Sequence, residues 1–100
     1  MSPLKKIKLN KLRTKLDKLD NSLIQIIKKR TKLVKEVLIL KDKKKEIVDK
    51  IRIKKILKNK RKKSIKNKID PKITKKIWLN MIYAYIDFER RNFKKNNYLL

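Results

Sequence analysis

The apolar positions in the first part of the chain follow the period of an α-helix. Leucine, isoleucine and valine recur every three or four residues, which places them on one stripe of a helix. The stripe consists of Leu12, Leu16, Leu19, Leu23, Ile26, Ile27, Val34, Val37 and Leu40. Arg30 and Lys41 interrupt it, since both fall within roughly 20° of Leu23 around the helix axis. A cation on a face that must be buried is costly unless an anion meets it, so these two cations are the first candidate functional residues.

The first predicted helix begins near Asn10, or as early as the cap pair Ser2-Pro3, and runs to about Lys41. Proline directly after serine is a recognised helix start. Residues 42–46 have no periodicity and are predicted to form a loop.

The second helix is predicted to begin around Asp49, which has a side chain suited to an N-cap. Its apolar content is low, so it is expected to fray. The third is predicted to begin at Asp70-Pro71 and to end before a polar tail over residues 94–100. No strand alternation is present. The sequence therefore predicts an all-α fold, with a three-helix protomer in a single domain over residues 1–100.

The first helix is too long for one protomer to cover. A helix of about 30 residues is about 45 Å long, whereas a compact domain of this size has a radius of gyration of about 13 Å. The apolar stripe therefore predicts a second copy related by a two-fold axis. The alternative is a partly exposed helix in a loose monomer.

Composition excludes several kinds of chemistry. The chain has 100 residues and contains no cysteine, histidine or glycine. Disulfides, thiolate nucleophiles, Cys/His metal sites and glycine-rich phosphate loops are therefore excluded. No apolar run approaches the roughly 20 residues of a membrane span, and the N-terminus lacks the apolar core of a signal peptide. A cytoplasmic protein without a membrane partner is predicted.

The net charge of +25 has two interpretations. One is binding to nucleic acid or to an acidic membrane. The other is codon bias, because lysine, isoleucine and asparagine have AT-rich codons and fill 51 of the 100 positions. Codon bias is favoured, since nucleic-acid readers tend to use arginine and interleaved aromatic residues. A basic helical nucleic-acid-binding protein stays the alternative function.

The polar residues that the helices bring inward are mostly cations. They are Arg13, Arg30, Lys41, Asp49, Arg52 and Glu89. Such a lining suits a small ligand with two or more carboxylates, because arginine binds a carboxylate through two parallel hydrogen bonds. No nucleophile–base pair is evident, so an enzyme of this kind would depend on positioning and electrostatics. The anion expected at Arg30 and Lys41 is supplied by a ligand, not by one of the 9 acidic side chains.

Each of these residues also has a purely structural interpretation. Arg30 could lie at the edge of a core, and Lys41 could end its helix and favour the helix dipole. Asp49 and Arg52 could form a cap with a surface pair, and Glu89 could pair with a neighbouring cation. The joint pattern favours a binding site.

The same residues carry a resemblance to a known family. The pattern LRxxLDxLDxxL over residues 12–23, followed by Arg30, Lys41, Asp49 and Arg52, resembles the all-helical (AroQ-type) chorismate mutases. The resemblance covers about residues 9–93 and leaves the tail outside. It implies an intertwined helical homodimer that rearranges chorismate to prephenate without a cofactor or metal and without nucleic acid as a partner.

The resemblance also implies roles. Arg30 would bind a substrate carboxylate, and Arg13 would reach into the site from the partner protomer. Lys41 would donate a hydrogen bond to the ether oxygen, which becomes negative as the C–O bond breaks. Arg52 would supply a further cation, and Asp49 would lie near the ring hydroxyl.

Three positions bear on whether the family's site is complete. Ile53 stands where family members commonly have glutamate for the substrate hydroxyl, so binding is weaker or Asp49 takes over. Glu89 stands where the family has glutamine or glutamate facing the ether oxygen. A glutamate must be protonated to donate there, so activity is expected to rise as pH falls. Tyr85, or Ala84 in a shifted register, replaces a serine of some members. A mutase-like dimer without activity is a further possibility because of Ile53.

Overall fold

The computed structural model describes the backbone of residues 1–97 and the side chains of residues 1–93. It contains α1 (Pro3–Ile39), a 3₁₀ turn (Lys44–Glu46), α2 (Lys50–Lys66) and α3 (Pro71–Asn97). No strand occurs within this part of the chain, so the prediction of an all-α protein with three helices is confirmed for it. The end of the predicted tail, residues 98–100, lies outside the described residues.

The chain divides into two compact units, Met1–Leu33 and Val34–Leu100. In the first unit, the Oγ of Ser2 accepts a hydrogen bond of 3.2 Å from the N–H of Lys5 and so caps the start of α1. The apolar stripe of this unit is exposed in the single chain. Its exposed members are Leu12, Leu16, Leu19, Leu23, Ile26 and Ile27.

The second unit contains the buried residues. Leu38, at the end of α1, has no exposed surface, and Ile47 is 4% exposed. Helices α2 and α3 pack against each other. Each carries a small buried side chain, Ser64 on α2 and Thr74 on α3, and small residues allow two helix backbones to approach closely. Ser64 satisfies its hydroxyl by donating to the carbonyl oxygen of Lys60 at 2.6 Å.

The connection between α1 and α2 is more ordered than the predicted loop over residues 42–46. It contains the 3₁₀ turn, because the Oε1 of Glu46 accepts a hydrogen bond of 3.0 Å from the N–H of Lys43. Asp49 then caps α2 as predicted, with its Oδ1 accepting from the N–H of Arg52 at 2.9 Å. Helix α2 continues from this cap to Lys66 without interruption.

Helix α2 ends in a Schellman motif without glycine. The N–H of Ile69 donates to the carbonyl of Ser64, and that of Lys68 to the carbonyl of Ile65. Lys68 consequently has φ of 57°, the left-handed conformation that glycine adopts at lower cost.

Helix α3 begins at the predicted boundary. The Oδ1 of Asp70 accepts from the N–H of Lys72 at 2.9 Å, and Pro71 occupies the first helical position. The predicted end before Lys94 is wrong, since the helix continues to Asn97. The reason is that this stretch contains no proline or glycine, and lysine is a good helix former.

Candidate functional site

An ion pair between Lys41 and Glu89 is the centre of the candidate site. Lys41 lies just beyond the C-terminus of α1, where its backbone N–H donates to the carbonyl of Leu38 at 3.1 Å. Glu89 lies on α3. The Nζ of Lys41 donates a hydrogen bond to the Oε1 of Glu89 at 3.0 Å. The fold thus brings together two predicted site residues that are 48 positions apart in the sequence.

This ion pair is largely removed from solvent. The side chains of Lys41 and Glu89 are 17% and 8% exposed. Each charge loses hydration on burial, and the other charge offsets part of that cost. The expectation that no acidic side chain of the protein pairs with Lys41 is therefore corrected: in this structure the anion is Glu89, because α3 brings its carboxylate to the end of α1.

The pair still leaves hydrogen-bonding capacity. An ammonium group has three N–H donors, and a carboxylate has two oxygens that accept hydrogen bonds. The bond between Lys41 and Glu89 uses one donor and one oxygen. A ligand oxygen can therefore bind Lys41 without displacing Glu89.

A cavity of about 720 Å³ adjoins this pair. It is largely open to solvent. Its lining residues are Lys41, Lys45, Glu46, Val48, Asp49, Lys50 and Ile51. Both carboxylates already accept backbone N–H groups, Glu46 in the 3₁₀ turn and Asp49 at the cap of α2. Three lysines thus line the cavity, and its two acidic residues already have structural hydrogen-bond partners. This arrangement suits an anionic ligand.

Lys45 and Lys50 are lining residues that the sequence did not single out. Lys45 belongs to the lysine-rich segment without periodicity, and Lys50 is one of many lysines of the second helix, so neither position stands out in the sequence. Only the path of the chain from the 3₁₀ turn into α2 places them at the cavity.

Arg52 and Tyr85 do not line this cavity. Arg52 is exposed in the first turn of α2, where its backbone N–H serves the cap. Tyr85 is half-buried on α3, one turn before Glu89, and its ring meets Phe88 edge to face with the centroids 6.4 Å apart. Ile53 is half-buried on α2.

The two predicted arginines of α1 lie in the Met1–Leu33 unit. Arg30 is half-buried, and Arg13 is exposed. Their roles at the site stay predictions.

The described residues contain neither a candidate metal site nor a candidate membrane-spanning helix. Among the described residues, no three or more acidic side chains form a group that could hold a metal ion. Across the same residues, no helix combines the length and apolarity needed to cross a membrane.

These features define an all-helical domain with a lysine- and carboxylate-lined cavity. Residues 12–90 match the family model for chorismate mutase type II. The match covers most of the chain, which therefore belongs to this family, and the predicted resemblance is confirmed. No curated protein and no solved structure matched the chain.

Proposed function

We propose that this protein is an isomerase that converts chorismate to prephenate. The reaction breaks the ether C–O bond and forms a C–C bond within one molecule, so no group, electron or proton passes to the protein. Membership of the chorismate mutase family supports this activity. The observation that carries the proposal is the Lys41–Glu89 ion pair beside a cavity lined by cations.

Lys41 would stabilise the transition state. Negative charge develops on the ether oxygen as the C–O bond breaks, and the ammonium of Lys41 would donate a hydrogen bond to it. Because the pair with Glu89 holds Lys41 in place, the donor is oriented before the reaction begins. One such preorganised donor is typically worth about 10²–10³ in kcat.

Glu89 would be the second donor to the same oxygen when it is protonated. An ionised Glu89 accepts from Lys41 but cannot donate. This is the reason that activity is expected to rise as pH falls.

The remaining contacts would hold the two substrate carboxylates and the hydroxyl. Arg30 would bind one carboxylate, and Arg13 of the partner subunit would bind the other, each with the paired hydrogen bonds that guanidinium forms. Arg52 would add positive charge near the substrate, and Tyr85 would contact it from α3. Asp49, which lines the cavity, would accept a hydrogen bond from the ring hydroxyl. Family members commonly use a glutamate for this contact, and Ile53 stands at its position here.

A homodimer forms part of the proposal. In the single chain the stripe leucines over residues 12–23 of α1 are exposed, for example Leu16 at 57% and Leu19 at 66%. A regular stripe of exposed leucines is typical of an interface. A two-fold dimer would cover both copies of the stripe with one contact.

Mixing two inactive variants tests the shared site. Arg13→Ala and Arg30→Ala should each lose nearly all activity as pure proteins. After the two are unfolded together and refolded in equal amounts, half of the dimers should be mixed. Each mixed dimer has one site with both arginines, so about a quarter of wild-type activity should return. No recovery would contradict the placement of Arg13 across the interface.

The decisive experiment for the function is the loss of chorismate absorbance on mixing with the protein. Lys41→Ala should abolish turnover, whereas Lys62→Ala, an exposed lysine of α2, should leave it unchanged. No turnover by the wild type in its folded, dimeric form would identify a mutase-like protein without activity.

The charge of α2 favours nucleic-acid binding as a second candidate function. Ten of its 17 residues are lysine or arginine, and none is acidic. A nucleic-acid-binding protein should lose affinity steeply as salt rises. In that case Arg30→Ala should weaken binding no more than Lys62→Ala does.

A further inference from the structure

A second cavity lies where α2 and the start of α3 meet. Its volume is about 370 Å³, within the range of small-molecule sites. Its lining residues are Leu57, Lys58, Lys60, Arg61, Pro71 and Lys75. None of these residues lines the cavity beside Lys41.

The charged groups of this cavity are all cations. Among the described residues, the side chains of Lys58, Arg61 and Lys75 have neither a hydrogen-bond nor an ion-pair partner. The acidic residue next to the cavity in sequence is Asp70, and its Oδ1 accepts the N–H of Lys72 at the cap of α3. The cavity therefore concentrates positive charge without a carboxylate in its lining.

The rest of the cavity is apolar. Leu57 and Pro71 are half-buried and form a wall without polar side-chain atoms.

Lys60 is also half-buried, and its Nζ lies 5.3 Å from the centroid of the Trp78 ring. This cation–π contact restrains the ammonium of Lys60 before any ligand arrives. The apolar wall formed by Leu57 and Pro71 would add nothing to the binding of a bare inorganic anion or of a phosphate backbone.

We propose that this cavity binds a small carboxylate that has an aromatic or branched apolar body. The apolar body would pack on Leu57 and Pro71. The carboxylate would take the paired hydrogen bonds of Arg61, with Lys60 and Lys75 adding positive charge. The site is independent of the proposed mutase reaction, because it shares no lining residue with the Lys41 cavity.

Trp78 makes the proposal directly measurable, since it is the only tryptophan of the chain. A carboxylate that binds next to the ammonium of Lys60 would change the electrostatic environment of the Trp78 ring and hence its fluorescence. Three probes at constant ionic strength separate the two features of the site: 3-phenylpropionate, its neutral alcohol 3-phenylpropan-1-ol, and acetate. We expect saturable binding of 3-phenylpropionate and affinities at least about tenfold weaker for the other two.

Two variants locate the binding. Arg61→Gln and Lys75→Gln should each weaken 3-phenylpropionate about tenfold. Lys62→Gln and Lys63→Gln remove the same charge from exposed positions of α2 outside the cavity and should change affinity less than twofold. Thermal unfolding of all four should match the wild type, because their side chains are exposed.

Three results would overturn the proposal. The neutral alcohol could bind as tightly as the carboxylate, which would indicate a merely apolar groove. The four variants could behave alike, which would indicate a response to net charge. Finally, Trp78 fluorescence could change with protein concentration and not with 3-phenylpropionate, which would indicate that a second copy covers the cavity.

Discussion

Replacing Glu89 by glutamine tests whether this side chain donates a hydrogen bond to the ether oxygen of the substrate. The variant keeps the size of the side chain and an oxygen that accepts the hydrogen bond of 3.0 Å from Lys41. It removes the negative charge and supplies an N–H₂ donor at every pH. If Glu89 must be protonated to donate to the ether oxygen, glutamine mimics this protonated, donating form at every pH.

The expected change in rate follows from which form of the side chain at position 89 can donate a hydrogen bond. Only a protonated Glu89 could donate to the ether oxygen, so the wild-type rate should rise as pH falls. Glu89→Gln should remove this slope. Because glutamine supplies a donor at every pH, the kcat of the variant at neutral pH should exceed the wild-type value by up to about a hundredfold.

The stability of the fold should fall only modestly in this variant. At 3.0 Å and an effective dielectric constant of 20, the attraction between the two charges is about 5.5 kcal/mol before desolvation is counted. Hydration lost by both groups offsets most of it. Because glutamine still accepts from Lys41, the free energy of unfolding should fall by about 1–2 kcal/mol. Glu89→Ala, which leaves Lys41 without this acceptor, should cost more.

The assay is chorismate turnover between pH 5 and 8, with urea unfolding of each variant in parallel. Asp87→Asn is the matched control, since Asp87 is an exposed carboxylate of α3 that pairs with Arg91. It should leave both the pH–rate profile and the turnover unchanged. A flat profile in the wild type, together with unchanged turnover of Glu89→Gln at neutral pH, would refute the role of Glu89.

Four further substitutions probe the fold at constant protein concentration. Leu38→Ala removes a side chain without exposed surface and should lower the free energy of unfolding by about 2–5 kcal/mol in urea titrations. Asp49→Ala removes the cap of α2 and should cost about 1 kcal/mol in the same titrations. Lys68→Gly relieves a positive φ and should raise the thermal midpoint, with a gain of about 0.5–1 kcal/mol. Leu16→Glu on the exposed stripe should convert the dimer to monomer in light scattering, and an unchanged mass would contradict the proposed interface.

Helix starts were predictable because their causes are local. A capping side chain bonds to backbone N–H groups two or three residues away, so Asp49 and Asp70-Pro71 reveal their helices without knowledge of the fold. Helix ends were less predictable. Without glycine in the chain, α2 ends on Lys68 in a left-handed conformation, and no sequence signal marks that position.

The content of the candidate site was predictable only in part. Lys41 and Glu89 stood out because both fall on faces that helical periodicity marks as apolar. Their direct pairing was not predicted, since it depends on how α3 returns to the end of α1. Lys45 and Lys50 could not be distinguished from other lysines, because their place at the cavity comes from the 3₁₀ turn and the following helix start.

The pair between Lys41 and Glu89 links the charge of the site to its proposed chemistry. An ionised Glu89 keeps Lys41 in place, yet it also neutralises part of the positive charge that the developing oxyanion needs. In the proposed mechanism, protonation of Glu89 would remove that competition and create a second donor, so both effects would raise the rate as pH falls. In the proposed site Ile53 could not hydrogen-bond to the substrate, so fewer polar contacts would hold it, and the effect of Glu89 on turnover should be correspondingly large.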